Sequence, residues 1–211
     1  MHEQAKRFTL FVKNILKEYF DSKYVLDVGS GDINGNNRFL FNNCIYQGND
    51  VISAPNVTVV SKTKDLSFPN NTFDTVISTE CFEHDPEYNE SFKQIYKMLK
   101  PGGLFCFTCA STNRHEHGTR RTSPYDSYGT KGGLEDMVDY YKNLTIKDIN
   151  DVLDLNTLFS VWDSYYNSTS CDLYFVGIKK PADNKFTSLP QYNDNGVSST
   201  SDQIKRNLNT A

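Results

Sequence analysis

Apolar residues recur along this chain in two rhythms. Over residues 3–20, Phe8, Phe11, Val12, Ile15, Leu16 and Tyr19 fall mostly three and four apart, which predicts an amphipathic helix. Short apolar runs of strand length follow at "YVLDVG" (24–29), "YQGNDV" (46–51), "VTVV" (57–60), "FDTVIS" (73–78) and "GLFCFTCA" (103–110). Between the last two, Phe92, Ile95, Tyr96 and Leu99 restore helical spacing until Pro101-Gly102-Gly103 ends it. Strands alternating with helices predict a mostly parallel sheet covered on both faces. A polar, irregular segment over residues 112–145 is too long for a simple connection and reads as an insertion on the substrate side. A helix is expected at 146–157, then strands at 159–166 and 172–180, whose short turn "NSTSC" permits an antiparallel pair. Residues 1–180 therefore form the domain. From Pro181 to residue 211, Ser, Thr, Asn and Asp dominate, and this tail is expected to be poorly ordered or a linker.

Composition adds mainly exclusions. A chain of 211 residues fits one domain, and its net charge of −4 offers no basic stripe for nucleic acid. No apolar run approaches the ~20 residues of a membrane span, and the charged N-terminus lacks the apolar core of a secretory leader. The five cysteines are odd in number and unpaired in spacing; Cys106 and Cys109 sit in a strand rather than a metal knuckle. Reduced thiols in a cytoplasmic protein are the expectation.

The densest chemistry lies in "YVLDVGSGDINGNN". An aspartate, Asp27, interrupts an otherwise apolar strand, and Gly29 and Gly31 follow at once. A strand, Gly29-Ser30-Gly31 and then a helix would let the backbone turn tightly and approach a ligand. The third glycine is Gly35, which departs from the G-x-G-x-x-G of dinucleotide sites, and no phosphate-loop lysine is present.

These residues resemble the class I S-adenosylmethionine-dependent methyltransferases, and among them the small type 11 branch. "VLDVGSGDING" looks like that family's first motif, and "YQGNDVISAPNV" like its second strand, ending in a ribose-binding acid at Asp50 beside Val51. "KTKDLSFPNNTFDTVISTECFEHD" is similar to the next two segments, with Asp65 and Leu66 flanking an adenine and Thr79 at the end of the fourth strand. "LKPGGLFCFT" resembles the entry to strand five. The resemblance implies an α/β fold: a doubly wound, seven-stranded, mostly parallel sheet of order 3-2-1-4-5-7-6, its last strand antiparallel, with helices on both faces. It also implies S-adenosylmethionine as cofactor, held by Asp27, Gly29, Ser30, Gly31, Asp50, Val51, Asp65, Leu66 and Thr79. Asp27 would organise loop amides or reach the cofactor's ammonium group.

Transfer to a hydroxyl calls for a general base, and histidine is the usual choice. Of four histidines, His2 is set aside as terminal; His84, His115 and His117 are the candidates, in "ECFEHD" and "NRHEHGTRR". Glu83, Arg114, Glu116, Arg120, Arg121 and Asp126 are expected to orient the acceptor. Glu80, Glu83 and His84 would suit a hard divalent cation, but no metal is assigned. Tyr125, Tyr128, Tyr140 and Tyr141 among charged side chains suit a sugar, with its apolar ring face and many hydroxyls. The segment is similar to those of methyltransferases encoded with glycan-assembly enzymes. More faintly, the chain resembles methyltransferase domains of large-virus glycosylation proteins acting on rhamnose-containing glycans, which implies fusion to or action with glycosyltransferases. The competing readings are a small-metabolite or protein methyltransferase, a nucleic-acid methyltransferase, a non-catalytic binding module and a dinucleotide-dependent dehydrogenase. "STEC" in place of an Asn/Asp-Pro-Pro-aromatic motif counts against base methylation.

Overall fold

The computed structural model describes residues 2–181 and 186–205. Helix α1 (Glu3–Ile15) precedes strands β1 (Tyr24–Val28), β2 (Ile45–Asp50), β3 (Val59–Val60) and β4 (Phe73–Thr79). Helix α2 (Tyr88–Met98) leads into β5 (Leu99–Ala110), and the long excursion after it carries one short helix, α3 (Tyr128–Lys131). Then come α4 (Ile146–Val152), α5 (Leu155–Leu158), β6 (Phe159–Asn167) and β7 (Asp172–Lys179), followed by β8 (Val197–Ser199) and α6 (Asp202–Lys205).

The strands form one sheet of order β3-β2-β1-β4-β5-β7-β6-β8. The pairs β2–β3, β1–β2, β1–β4 and β4–β5 are parallel, and β7 enters antiparallel between β5 and β6. This is the expected α/β order with one strand added. That eighth strand comes from the tail expected to be poorly ordered: Val197–Ser199 pairs antiparallel with Tyr165–Asn167. The polar composition hides a few apolar anchors. Leu189, Tyr192 and Ile204 are buried, and the Tyr192 ring lies 5.3 Å from that of Phe8. Residues 182–185 and 206–211 of the tail lie outside the described residues.

Alternation along the strands sorts two cores. Leu26, Val28, Val76, Phe105, Phe107 and Phe175 face α2, whose Phe92, Ile95 and Met98 are fully buried, with α4 beside it. Val25, Ile77, Cys106, Tyr174 and Val176 face the opposite side, where α1 lays Phe8 and Val12 on the sheet at i and i+4 spacing. The Phe8 and Tyr174 rings stack at 4.8 Å.

One expected element is missing. No helix follows the glycine loop; only a single 3-10 turn, Arg38–Leu40, separates β1 from β2. Asp32 accepts from the Gly35 N–H at 2.7 Å and from Asn36 Nδ2 at 2.7 Å, and Asn36 Oδ1 accepts from the Arg38 N–H. These short polar side chains compete for backbone groups that a helix would otherwise pair. The segment 112–145 folds back over the carboxyl ends of the strands, where Leu144 N–H bonds Ala110 C=O and Lys142 N–H bonds Glu83 C=O.

Candidate cofactor cavity and its acidic rim

The carboxyl ends of β1, β2 and β4 open into a cavity of about 210 Å³ that communicates with solvent. Ligands of open α/β sheets bind at this edge. Gly29 takes φ +69°, and a Cβ there would fall 2.5 Å from Cys81 Cβ and Sγ. Gly31 is enclosed differently: a Cβ would lie 2.1 Å from the Tyr128 ring and 2.8 Å from Asp50 Oδ2. Tyr128 therefore caps the loop from the inserted segment, its hydroxyl donating to Asp32 C=O at 3.2 Å.

Two carboxylates flank the loop. Asp50 Oδ2 accepts from the Gly31 N–H at 2.9 Å and Oδ1 from the Val51 N–H at 2.8 Å. Each oxygen keeps a further lone pair, and Asp50 lines the cavity. Burial raises its pKa, against the pull of those two amides. Asp27 is fully buried, and accepts from Asn37 Nδ2 at 3.0 Å and from the Tyr46 hydroxyl. Burial lifts its carboxyl to about 7 despite the Tyr46 and Asn37 hydrogen bonds. Asn37, absent from the sequence expectations, links Asp27 to Thr79 Oγ1 at 3.2 Å and leaves its own Oδ1 unpartnered in the cavity wall. Two acceptors, an orphaned amide oxygen and a loop with room for no Cβ fit a ligand carrying a diol and a cation.

Gly29, Ser30, Gly31, Asp50, Val51 and Thr79 line the cavity together with Asp27. Asp65 and Leu66 do not. Asp65 is exposed and paired with Lys64, while Leu66 is buried under α2 with its carbonyl accepting from Gln94. Lys62 and Thr63, just upstream, take that wall.

The rim beyond Thr79 holds two clusters. In the first, His2 Nε2 lies 3.3 Å from Glu80 Oε2 and 3.0 Å from Asp172 Oδ2. Burial opposes charge on His2, yet Asp172 and Glu80 carry its pKa up to about 10. His2, set aside as terminal among the candidate bases, caps α1, with Nδ1 accepting from the Ala5 N–H at 3.4 Å, and lines the cavity. A charged ring gives up that long cap bond but keeps the Nε2–H toward both carboxylates. No sequence signal marks Asp172, 170 positions away in β7.

In the second cluster, Glu83 and His84 from the turn after β4 meet His117 and Tyr141. The two imidazoles lie 4.9 Å apart, nearly perpendicular, and His117 Nε2 is 3.9 Å from Glu83 Oε1. Burial pushes His84 down to about 3; burial, then the Glu80 charge, pushes Glu83 well up. Glu80 is thus separated from Glu83 and His84, against the grouping their spacing suggested. His115 is exposed and lends only its carbonyl, 3.1 Å from His117 Nδ1. Glu116, Arg120 and Arg121 also stay outside the cavity, drawn into surface ion pairs among themselves and Asp139. Arg114 and Asp126 do line it.

Comparison with known proteins bears on the fold and on the segment that carries the glycine loop. Residues 26–107 match the family described as "Methyltransferase domain". A 40-residue stretch is 42% identical to the sterol 24-C-methyltransferase of Aspergillus fumigatus, covering 19% of this chain and 11% of that protein. A 41-residue stretch is 46% identical to phosphoethanolamine N-methyltransferase 2 of Caenorhabditis elegans, covering 19% and 9%. The matches thus span about a tenth of the length of these relatives. Among solved structures, phosphoethanolamine N-methyltransferase 2 of Haemonchus contortus with S-adenosyl-L-methionine superposes with TM-score 0.55 at 16% identity, over 82% of this chain and 52% of that one. The 1,6-didemethyltoxoflavin-N1-methyltransferase of Burkholderia thailandensis does so with TM-score 0.57 at 16% identity, over 84% and 79%. Residues 26–107 thus match a methyltransferase-domain family, and the chain shares the α/β fold of these solved methyltransferases.

Proposed function

We propose that this chain binds S-adenosylmethionine over its glycine loop and transfers the methyl group to a hydroxyl of a small polyhydroxylated acceptor, best a sugar of a glycan such as rhamnose. One observation carries the cofactor half: Asp50, at the carboxyl end of β2, is fixed by two backbone amides yet keeps a lone pair on each oxygen. A carboxylate so placed accepts both hydroxyls of a ribose. Asp27 and Asn37 Oδ1 supply the acceptors for the cationic amino-acid end. When bound, the cofactor provides a methyl group already activated on a sulfonium. The chain's own residues then hold the acceptor oxygen in line and remove its proton. His84 and His117 are the imidazoles of the rim, and Arg114 and Asp126 bracket the space an acceptor would fill.

The acceptor half is supported by the lining, where charged and amide groups stand beside the Tyr128 ring, as polyol recognition requires. Action alongside glycosyltransferases follows from the same reading. Calorimetry and mass spectrometry test the two halves separately. S-adenosylmethionine should bind the wild-type chain, and Asp50→Ala should weaken binding about 10- to 100-fold, the range of a charge-assisted hydrogen bond, without loss of fold. A labelled methyl donor should then mark glycans in a panel that includes nucleosides and phenols. No affinity for the cofactor or its demethylated product overturns the first half; methylation of nucleosides or phenols alone overturns the second.

A further inference from the structure

Among the described residues, buried side-chain atoms without a hydrogen-bond partner gather at two points: His2, Glu80 and Asp172, already held by their ion pairs, and a second group around Glu83. Both carboxylate oxygens of Glu83, Nδ1 of His84 and the hydroxyl of Tyr141 are all unpaired. Glu83 is fully buried and His84 nearly so. No side chain donates to the buried Glu83 carboxyl, and only the backbone amides of Glu83 and Ala110 act on it, which is not how a core settles a charge.

The orientation of the third ring is informative. His117 Nδ1 lies 3.1 Å from the His115 carbonyl, which fixes the proton there and leaves the Nε2 lone pair facing Glu83. Histidines that bind metal are oriented by such a bond on the far nitrogen. The separation of His117 Nε2 from Glu83 Oε1, 3.9 Å, is too long for a hydrogen bond. Two ligands each about 2.1 Å from one ion can stand that far apart. One ligand atom from each of Glu83, His84 and His117 lies within 4.8 Å of the others. Gly118, at φ +69°, keeps the space before His84 open: a Cβ there would sit 2.6 Å from Cε1 and 3.0 Å from Nδ1.

We propose that Glu83, His84 and His117 form a binding site for a divalent first-row transition ion at the rim of the cofactor cavity. One carboxylate and two imidazoles are the ligands of Mn²⁺, Fe²⁺, Co²⁺ or Zn²⁺ rather than of Mg²⁺ or Ca²⁺. Three protein ligands leave coordination positions open, as catalytic sites do. His84 and His117 line the same cavity as Asp50, so those positions face the space given to the acceptor. The inference therefore deepens the reading above and rests on it for its purpose. An acceptor hydroxyl on such an ion would be acidified, so that water at the cavity mouth takes the proton in place of His84 or His117, which then serve as ligands rather than as the base. The oxygen then forms its bond to the methyl carbon as the carbon–sulfur bond breaks, and the thioether takes the electron pair. The other acidic cluster is excluded from this role. His2, Glu80 and Asp172 are in direct ion-pair contact at 3.0–3.3 Å, and Arg114 Nη1 stands 3.4 Å from Asp172, already supplying positive charge.

The test uses the full chain stripped with chelator and titrated with Mn²⁺ or Zn²⁺, read by calorimetry and, for Mn²⁺, by electron paramagnetic resonance. One ion per chain should bind, and Glu83→Gln and His117→Ala should each weaken it at least tenfold, while His2→Ala leaves it unchanged. His117 is partly exposed, so its variant should fold even if Glu83→Gln does not. Absence of binding by either ion overturns the site, as does binding that survives both substitutions or is lost only in His2→Ala. S-adenosylmethionine affinity of the same metal-free protein separates the ideas. Cofactor binding without metal binding rejects the ion alone; metal binding without cofactor binding rejects the methyltransferase reading alone.

Discussion

At the scale of single residues, the feature that gave the site away is also the least comfortable one in the fold. Asp27 is buried without a cation, and its carboxyl is lifted to about 7 chiefly by that burial. An acid whose folded pKa stands above its ordinary value near 3.8 costs stability as it ionises, so the ligand-free protein should weaken as pH rises from about 4 to 7. Asp27→Asn should remove that slope. Above pH 7 the ligand-free variant should melt no lower than wild type, yet bind S-adenosylmethionine about tenfold or more weakly. Thermal melts at pH 5 and 8, with calorimetry, check both signs. Asp27 and Asp50 were legible because a carboxylate in an apolar strand, or just past one, breaks a pattern. Asn37 was not, since an asparagine in a run of turn formers has a sufficient local reason to be there. Nor was Asp172, whose meaning depends on a strand pairing that only the folded sheet provides.

At the scale of elements, the strands and their order could be read from period and punctuation, and the loops could not. The charged residues of 112–145 divide by which way the chain turns back. His117 faces inward with Arg114 and Asp126, while His115, two residues away, faces solvent. The first helix carries its own expectation. His2 ties the start of α1 across the sheet to Glu80 on one strand end and Asp172 on another. Its pKa is raised to about 10 in the fold against 6.5 ordinarily, so this contribution is full below about pH 6.5 and fades as pH climbs toward 10. His2→Ala should therefore lower the melting temperature by a few degrees at pH 6, where loss of the ion pair to two buried carboxylates costs about 1 kcal/mol or more. The difference should narrow by pH 10; an equal difference at both values would reject the ionic tie.

At the scale of the whole molecule, the tail is part of the sheet. Ser164 N–H donates to Ser201 Oγ at 2.8 Å, and Lys205 Nζ reaches the Trp162 carbonyl at 2.7 Å and Asp163 at 2.8 Å. Removing residues 186–211 strips β8 from β6 and uncovers the buried faces of Phe8 and Tyr165 packed on Tyr192. Such a truncation should unfold at clearly lower urea concentration than the full chain, and a matched transition would refute a structural tail. Low apolar content concealed this, because a strand added to an existing edge needs backbone partners more than it needs a hydrophobic face.

The polar turn that replaces a helix after the glycine loop has an electrostatic consequence. In dinucleotide sites a helix points its amino end, with roughly half a positive charge, at the ligand's phosphates. Here no such pole exists beside Asp27 and Asp50, and the protein's net charge of −4 adds to the same sign. The glycine-loop side of the cavity therefore offers carboxyl oxygens and no helix pole, while the cations Lys62, Arg114 and His2 stand elsewhere in its lining. In the proposed reaction a sulfonium that gives up its methyl group becomes neutral at sulfur, so the attraction that Asp27 and Asp50 offer a cation would be weaker for the product than for the donor.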